Sequence, residues 1–230
     1  MRLDKYIADT THYSRADAKR LLKQQLVMVN EQTVTNPGYQ VQSQDQVCLD
    51  QQLLEIPRPR YVMFHKPEGV ICASSADNDP IVSDYIDLPN RHLLQIVGRL
   101  DKDTTGLVLL TDDGQWNHKV TTPRRGCYKH YRVTLAAPAT PELVVQFQQG
   151  LWLRGESRPT LPATLTIHSE YQVELAIQEG KYHQVKRMFG VVNNRVIALH
   201  RFRIGDIDLD AQLAPGSYRH LTPNEVASFG

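Results

Sequence analysis

The densest cluster of reactive side chains in this sequence is Gly98-Arg-Leu-Asp-Lys-Asp-Thr-Thr-Gly106. Two glycines bracket a charged loop between an apolar run ending at Val97 and another beginning at Leu107. Glycine lets a chain turn through backbone angles closed to other residues, so the loop can be tight. Asp and Thr are also ordinary turn residues, and a solvated hairpin connection is the plain alternative. A calcium loop is a third reading. Asp101, Asp103, Thr105, Gly106 and Asp112 fall at positions 1, 3, 5, 6 and 12 of an EF-hand, with Val108 at position 8. However, position 12 calls for a Glu that chelates through both oxygens, and position 5 prefers Asp or Asn. The flanks also read as strand and turn where an EF-hand needs helices. Calcium is rejected on these grounds.

Other sites fall away quickly. Cys48, Cys72 and Cys127 are far apart and form no C-x-x-C pair, so neither a zinc knuckle nor a disulfide frame is expected. The histidines include no H-x-x-x-H, and no metal or cofactor is expected. Gly-x-x-x-x-Gly-Lys-[Ser/Thr] is absent, which excludes a P-loop nucleotidase. The 26 basic and 25 acidic side chains nearly cancel, so any nucleic-acid surface must be a local basic face. The opening MRLDKYIADT has no apolar signal core and no run reaches membrane-spanning length, giving a soluble cytoplasmic expectation.

The elements that must position the loop fall into two groups. Ile56-Pro57-Arg58-Pro59-Arg60 disfavours helix, so residues 57–60 read as a short linker between a module over 1–56 and a domain over 61–230. In the small module, Leu3 and Ile7 mark one short helix, and Ser14 caps a second running from Arg15 to about Leu26. Ala18, Leu21, Leu22 and Leu26 share one arc of about 140° on that helix. Arg15, Lys19, Arg20 and Lys23 share the arc beside it, with Asp17 outside. Such a face can be merely solvated, but its single sign suits phosphate contact. A small hairpin over 27–34 and a strand at 45–49 complete the module. The larger domain reads as strands at 61–65, 70–73, 93–97, 107–111 and 131–135. Tyr171, Val173, Leu175 and Ile177 alternate with polar neighbours, as in a half-buried antiparallel strand. Helices are expected at 141–149, 183–192 and 223–228. Without a βαβ rhythm the fold class is α+β, with a mixed, largely antiparallel sheet.

Taken in order, five motifs resemble the pseudouridine synthases that act on ribosomal RNA. Gly98-Arg-Leu-Asp-x-x-Thr-x-Gly-Leu107 is similar to their catalytic signature. His65-Lys66-Pro67-x-Gly69, Lys129-x-Tyr131-x-Val133 and Glu179-Gly-Lys-Tyr-His-Gln-Val-Lys-Arg-Met188 resemble their remaining motifs. Arg2-Leu-Asp-Lys-Tyr-Ile-Ala8, Ser14-Arg15 and Val27-x-Val29-Asn30 resemble the RNA-binding domain first described in small-subunit ribosomal protein S-four. Thr111-Asp-Asp-Gly-Gln-Trp-Asn-His118 is most similar to the branch acting on 16S rRNA.

The resemblance implies an isomerase that breaks the bond from ribose to uracil nitrogen-1, turns the base and rejoins it through carbon-5. No atoms enter or leave, so no redox cofactor or donor is called for. It implies that Asp101 is the catalytic carboxylate, acting at sugar or base, and a carboxylate serves either route only when ionised. Lys186 stands where relatives place a basic partner, often Arg, whose bidentate pairing a Lys lacks. Arg187 points about 100° away on the expected helix, so only one of the two can face Asp101; Lys186 is favoured and Arg187 is second. Asp103 is expected to turn elsewhere. Tyr131 would stack on the target base, or serve only as an apolar strand residue with Val133 and Leu135. Arg99 would touch RNA beside the extruded nucleotide, and Lys66 and Arg187 join the basic helix as expected RNA contacts.

The expected partner is 16S rRNA, free or within a small-subunit assembly particle, with no membrane and no second copy of the chain. The implied target is uridine 516. Two alternatives stand beside this reading: a non-catalytic assembly factor that only binds RNA, and the same chemistry on 23S rRNA.

Overall fold

The computed structural model describes residues 1–42, 44–55, 59–122 and 126–229. The chain divides into two compact units, Met1–Arg58 and Pro59–Gly230. Pro57 and Arg58 of the expected linker, and Ile56 before it, lie outside the described residues.

In the first unit, α1 (Leu3–Thr10) and α2 (Arg15–Lys23) pack beside an antiparallel sheet in the order β2-β1-β3-β4. Its strands are β1 (Val27–Val29), β2 (Gln32–Thr33), β3 (Val47–Leu49) and β4 (Gln52–Leu54). Leu3, Ile7, Ala18, Leu22, Val27 and Val47 are wholly buried in one cluster. Ser14 and Asp17 form the capping box that starts α2. The helix stops three residues short of the expected Leu26. Gln25 turns left-handed at φ 60° and the Leu26 amide bonds back to the Leu21 carbonyl, a helix-ending geometry that leaves Leu26 exposed. Asp4 is buried yet charged, held by Arg2 at 2.9 Å and Arg15 at 3.3 Å. The hydrogen bond from Arg2 is the main cause that brings its carboxyl down to about 2, against the opposing effect of burial.

The second unit is a nine-stranded mixed sheet. Its strands are β5 (Tyr61–Lys66), β6 (Gln95–Val97), β7 (Thr105–Thr111), β8 (Lys129–Leu135), β9 (Thr164–Ile167), β10 (Gln172–Ile177), β11 (Val196–Ile204), β12 (Ile207–Asp208) and β13 (Tyr218–His220). The main path is β13-β5-β7-β11-β8-β10-β9, with β6 on β7 and β12 on β11. Among the described strands of this sheet only β7 and β11 pair in parallel; every other pair is antiparallel. The α+β expectation is met.

Helices cover both faces. On one, α4 (Glu142–Gln149) and α5 (Gln184–Val191) bring Phe147, Met188 and Phe189 onto Phe64, Val108, Val133, Leu175 and Leu199. On the other, α3 (Gly114–Thr121) brings Trp116 and Val120 onto Met63, Leu107, Leu109 and Ile204. Each such apolar side chain contributes roughly 1.5–3 kcal/mol by leaving water. The last helix, α6 (Pro223–Ala227), begins at a Thr222–Glu225 capping box. Among described residues no helix is long and apolar enough to cross a membrane.

Further expectations change, and α3, β4, β9, β12 and β13 were not expected. Residues 70–73 form no strand: Ile71 makes one isolated bridge to Ile81, and its amide bonds to the Pro80 carbonyl within a loop. The strand β11, at the centre of the sheet, was not expected, because an inward position is held by the charged Arg201 rather than by an apolar residue.

Parallel pairing puts Gly106 directly beside Arg201. Gly106 has φ +107°, and a Cβ there would stand 2.2 Å from the Arg201 carbonyl oxygen. Neither the space nor the backbone angle admits a side chain. Gly106→Ala should therefore cost about 3 kcal/mol, read by urea unfolding of the larger unit. A variant as stable as the parent would contradict this account of the β7–β11 junction.

A second expectation concerns pH in the first unit. The folded Asp4 carboxyl, near 2, lies below its unfolded value of 3.8, so its stabilisation is present above about pH 4 and is lost as pH falls toward 2. Asp4→Asn should lower hydrogen-exchange protection of α1 and α2 at neutral pH by an amount on the order of 2 kcal/mol. The gap between variant and parent should shrink on acidification toward pH 2; a pH-independent gap would show that packing, not charge, is at stake.

Candidate active site

Two buried cations hold the Gly98–Gly106 loop. Lys66, at the end of β5, is wholly buried, and its ammonium donates to the carbonyls of Pro67 at 3.0 Å, Lys102 at 3.1 Å and Thr104 at 2.7 Å. Burial holds this ammonium below its ordinary pKa, and the nearby Asp103 and Asp101 only partly oppose that. Arg201, on β11, donates to the Gly98 carbonyl at 2.7 Å and the Leu107 carbonyl at 2.9 Å. A buried charge is tolerable only when its hydrogen-bonding capacity is filled, and here backbone oxygens fill it. Lys66 was expected to touch RNA. That expectation is corrected: a wholly buried ammonium engaged by three carbonyls has nothing left for a phosphate.

Asp101 stands on this loop, and the first turn of α5 comes to meet it. Lys186 Nζ lies 3.0 Å from Asp101 Oδ2 and 2.6 Å from Asp103 Oδ1. Asp103 is thus not turned elsewhere, as expected, but shares the same lysine. One helical turn explains the convergence, because residue 186 projects toward the loop while residue 187 projects aside. Burial alone would lower the Lys186 ammonium, but hydrogen bonds from it to Asp103 and Asp101 outweigh burial and raise it. The Asp103 carboxyl is lowered, chiefly by its bond to Lys186.

Arg187 points away from Asp101. It pairs with Glu156 at 2.9 Å and donates to the carbonyls of Arg154 and Tyr182. Of the two candidates left open by the sequence, Lys186 is the one at the aspartate.

A cavity of about 80 Å³ opens beside Asp101, lined among others by Arg99, Thr104, Tyr131, His183, Lys186 and Leu199. Tyr131, on β8, belongs to the buried core and also lines this cavity, so strand packing and cavity lining coexist. Arg99 is exposed and forms no ion pair among the described residues. The Thr104 hydroxyl is buried and has no hydrogen-bond partner among the described residues.

His183 was missed by sequence reasoning. It precedes α5 in a left-handed conformation, φ 48°, and its Nε2 lies 3.5 Å from Asp101 Oδ1. Its place three residues before Lys186 was the available signal, since both bracket one helical turn.

The calcium reading fails in the geometry as well. Asp112, its twelfth position, lies beyond the far end of β7 and binds Arg60 at 2.8 Å.

The basic helix α2 is less one-signed than its wheel suggests. Arg15 pairs with Asp4 and Arg20 with Asp17, so Asp17 belongs to the same surface. Lys19 and Lys23 are exposed and form no ion pair among the described residues.

Comparison with known proteins identifies the family. Residues 60–190 match the family described as RNA pseudouridylate synthase, and residues 1–47 match the S4 domain. The chain is 47% identical over 229 residues to ribosomal small subunit pseudouridine synthase A of Escherichia coli (strain K12), covering 99% of each chain. The protein of the same name from Pasteurella multocida (strain Pm70) is 45% identical over 230 residues, covering 100% of this chain and 99% of its own. A solved structure, described as a crystal structure of pseudouridylate synthase, shares 42% identity with a TM-score of 0.73 over 100% of both chains. With relatives aligned from end to end, the chain belongs to the RNA pseudouridylate synthase family, an isomerase that carries an S4 domain ahead of its catalytic domain.

Proposed function

We propose that this protein, acting as a single copy, converts a uridine of 16S rRNA to pseudouridine, by resemblance uridine 516. The observation that carries the reading is the meeting of Asp101, Lys186 and Tyr131 at one cavity. A passive RNA binder has no need for a carboxylate and an ammonium 3.0 Å apart in a cavity lined by a buried tyrosine. A small-subunit target is supported by the names of the full-length relatives, and 16S rRNA by the family resemblance of the motifs.

In this reading the target uridine leaves its stack, because neither its glycosidic bond nor carbon-5 is reachable inside a helix. Tyr131 receives the uracil ring, and Asp101 acts on the sugar or base as the bond from nitrogen-1 breaks. The base turns within the cavity and rejoins through carbon-5, where the displaced proton departs. Lys186 is a positioning residue that orients the Asp101 carboxylate and offsets its charge. Arg99 contacts RNA beside the extruded nucleotide. The N-terminal module expected over residues 1–56 anchors the RNA, with Lys19 and Lys23 as its principal phosphate contacts on α2; the catalytic domain spans 61–230.

Asp101→Asn tests the chemistry. The side chain is nearly isosteric and lies on a polar loop, so the fold should survive and RNA affinity should change little. Tritium release from carbon-5-labelled uridine in a 16S precursor should fall to background. Asp103 already shares Lys186, so Asp103→Asn serves as the companion and should retain most activity. Release at the parental rate by Asp101→Asn would remove Asp101 from the chemistry. No release by the parent protein on 16S precursor would leave either 23S rRNA or passive binding.

Salt dependence tests the anchor. Replacing Lys19 and Lys23 with Ala should flatten the slope of log affinity against log salt by roughly 0.7 to 0.9 per lost phosphate contact. Replacing Arg15 and Arg20, each already paired with an aspartate, should flatten it less. An unchanged slope in the lysine pair would take α2 out of the interface.

A further inference from the structure

The corner between β10 and α5 holds an aromatic pair that the isomerisation chemistry does not use. Tyr182 is 77% exposed, and its ring stacks on His183 with centroids 3.8 Å apart and planes 19° from parallel. The far edge of the His183 ring meets Asp101 at 3.5 Å. A phenol ring left this open to water adds little to folding.

The backbone beneath it is held firmly. Glu156 binds Lys181 and Arg187, each at 2.9 Å, and Arg187 also donates to the Tyr182 carbonyl at 3.0 Å. On the inner side the buried Glu179 accepts from Gln184 at 3.0 Å and from the Leu161 amide at 2.9 Å. Gln184 in turn accepts from the Lys181 amide at 2.8 Å. His183 keeps a left-handed backbone, which costs a non-glycine residue on the order of 1 kcal/mol. The corner's own cations are spent on Glu156, so what it presents outward is a flat ring in a fixed place rather than charge.

We propose that Tyr182, stacked on His183, is a platform on which a base flanking the target uridine stacks while that uridine occupies the cavity. The proposal rests on the reading of this cavity as the site of uridine modification. Extruding one nucleotide strips its neighbour of a stacking partner. A rigid exposed ring continuous with a cavity-lining imidazole replaces that partner without needing a particular base, because every base has a π-face. It would add binding energy next to the reacting nucleotide without touching the bonds that change.

The test uses the full-length protein and the rRNA fragment from which the parent releases tritium. Tyr182→Ala should raise KM by roughly 5- to 150-fold, the range spanned by loss of one base–aromatic stack, with kcat nearly unchanged. Tyr182→Phe should stay close to the parent, because stacking needs the ring and not the hydroxyl. With 5-iodouridine placed immediately before or after the target, irradiation should yield a crosslinked peptide containing Tyr182 in one of the two RNAs. An unchanged KM in Tyr182→Ala, equal losses in the Ala and Phe variants, or a Tyr182 peptide free of crosslink in both RNAs would each overturn the platform. If the parent releases no tritium from any rRNA, the underlying reading of the cavity fails instead.

Discussion

Two buried cations sit beneath the reactive loop, and most of the larger unit's organisation depends on how they are satisfied. Lys66 and Arg201 reach up from neighbouring parts of the sheet and donate to carbonyls of residues 98, 102, 104 and 107. Among the described residues, neither makes an ion pair or hydrogen bond with a carboxylate. A buried ammonium or guanidinium lacking these oxygens would cost several kcal/mol, and the oxygens lacking a donor would cost nearly as much. The two deficits cancel only when the loop adopts one shape. That shape fixes where Asp101 begins, before any substrate arrives.

A second level of organisation comes from unequal sharing of charge around α5. Lys186 serves two aspartates while Glu156 serves two cations, Lys181 and Arg187. Adjacent residues 186 and 187 therefore do opposite jobs. One turns into the cavity and the other ties the preceding corner to the loop at 154–156. A helix separates neighbours by about 100°, and this geometry alone divides the labour. The corner keeps its strained His183 because packing and hydrogen bonds on both sides leave it no alternative.

The parallel junction of β7 and β11 links these levels. Leu199 lines the cavity and Arg201, two residues on, supports the loop from the same strand. Gly106 lets the strands approach closely enough for this, since a Cβ would meet the Arg201 backbone. Support and cavity wall thus come from one rigid strand, which a loop could not have supplied with equal precision.

The sequence by itself determined a good deal. Motif order named the family's chemistry, alternation at 173, 175 and 177 marked a half-buried strand, and Ser14 marked the start of a helix. These features are local: a cap, a period or a loop signature is written within a few residues. The family resemblance pointed to Lys186, with Arg187 second, as the partner of Asp101, and helical geometry allowed only one of the two to face it. Tertiary structure decided the rest. That Lys66 supports the loop instead of meeting RNA, that Asp103 shares Lys186, and that Arg15 and Arg20 are paired all depend on residues distant in sequence or on a specific rotamer. The central strand β11 escaped notice for a related reason: its buried arginine is explained only by carbonyls some hundred residues earlier, at 98 and 107. Charge at a buried position has no periodic signature, because what makes it tolerable is the partner that folding brings to it.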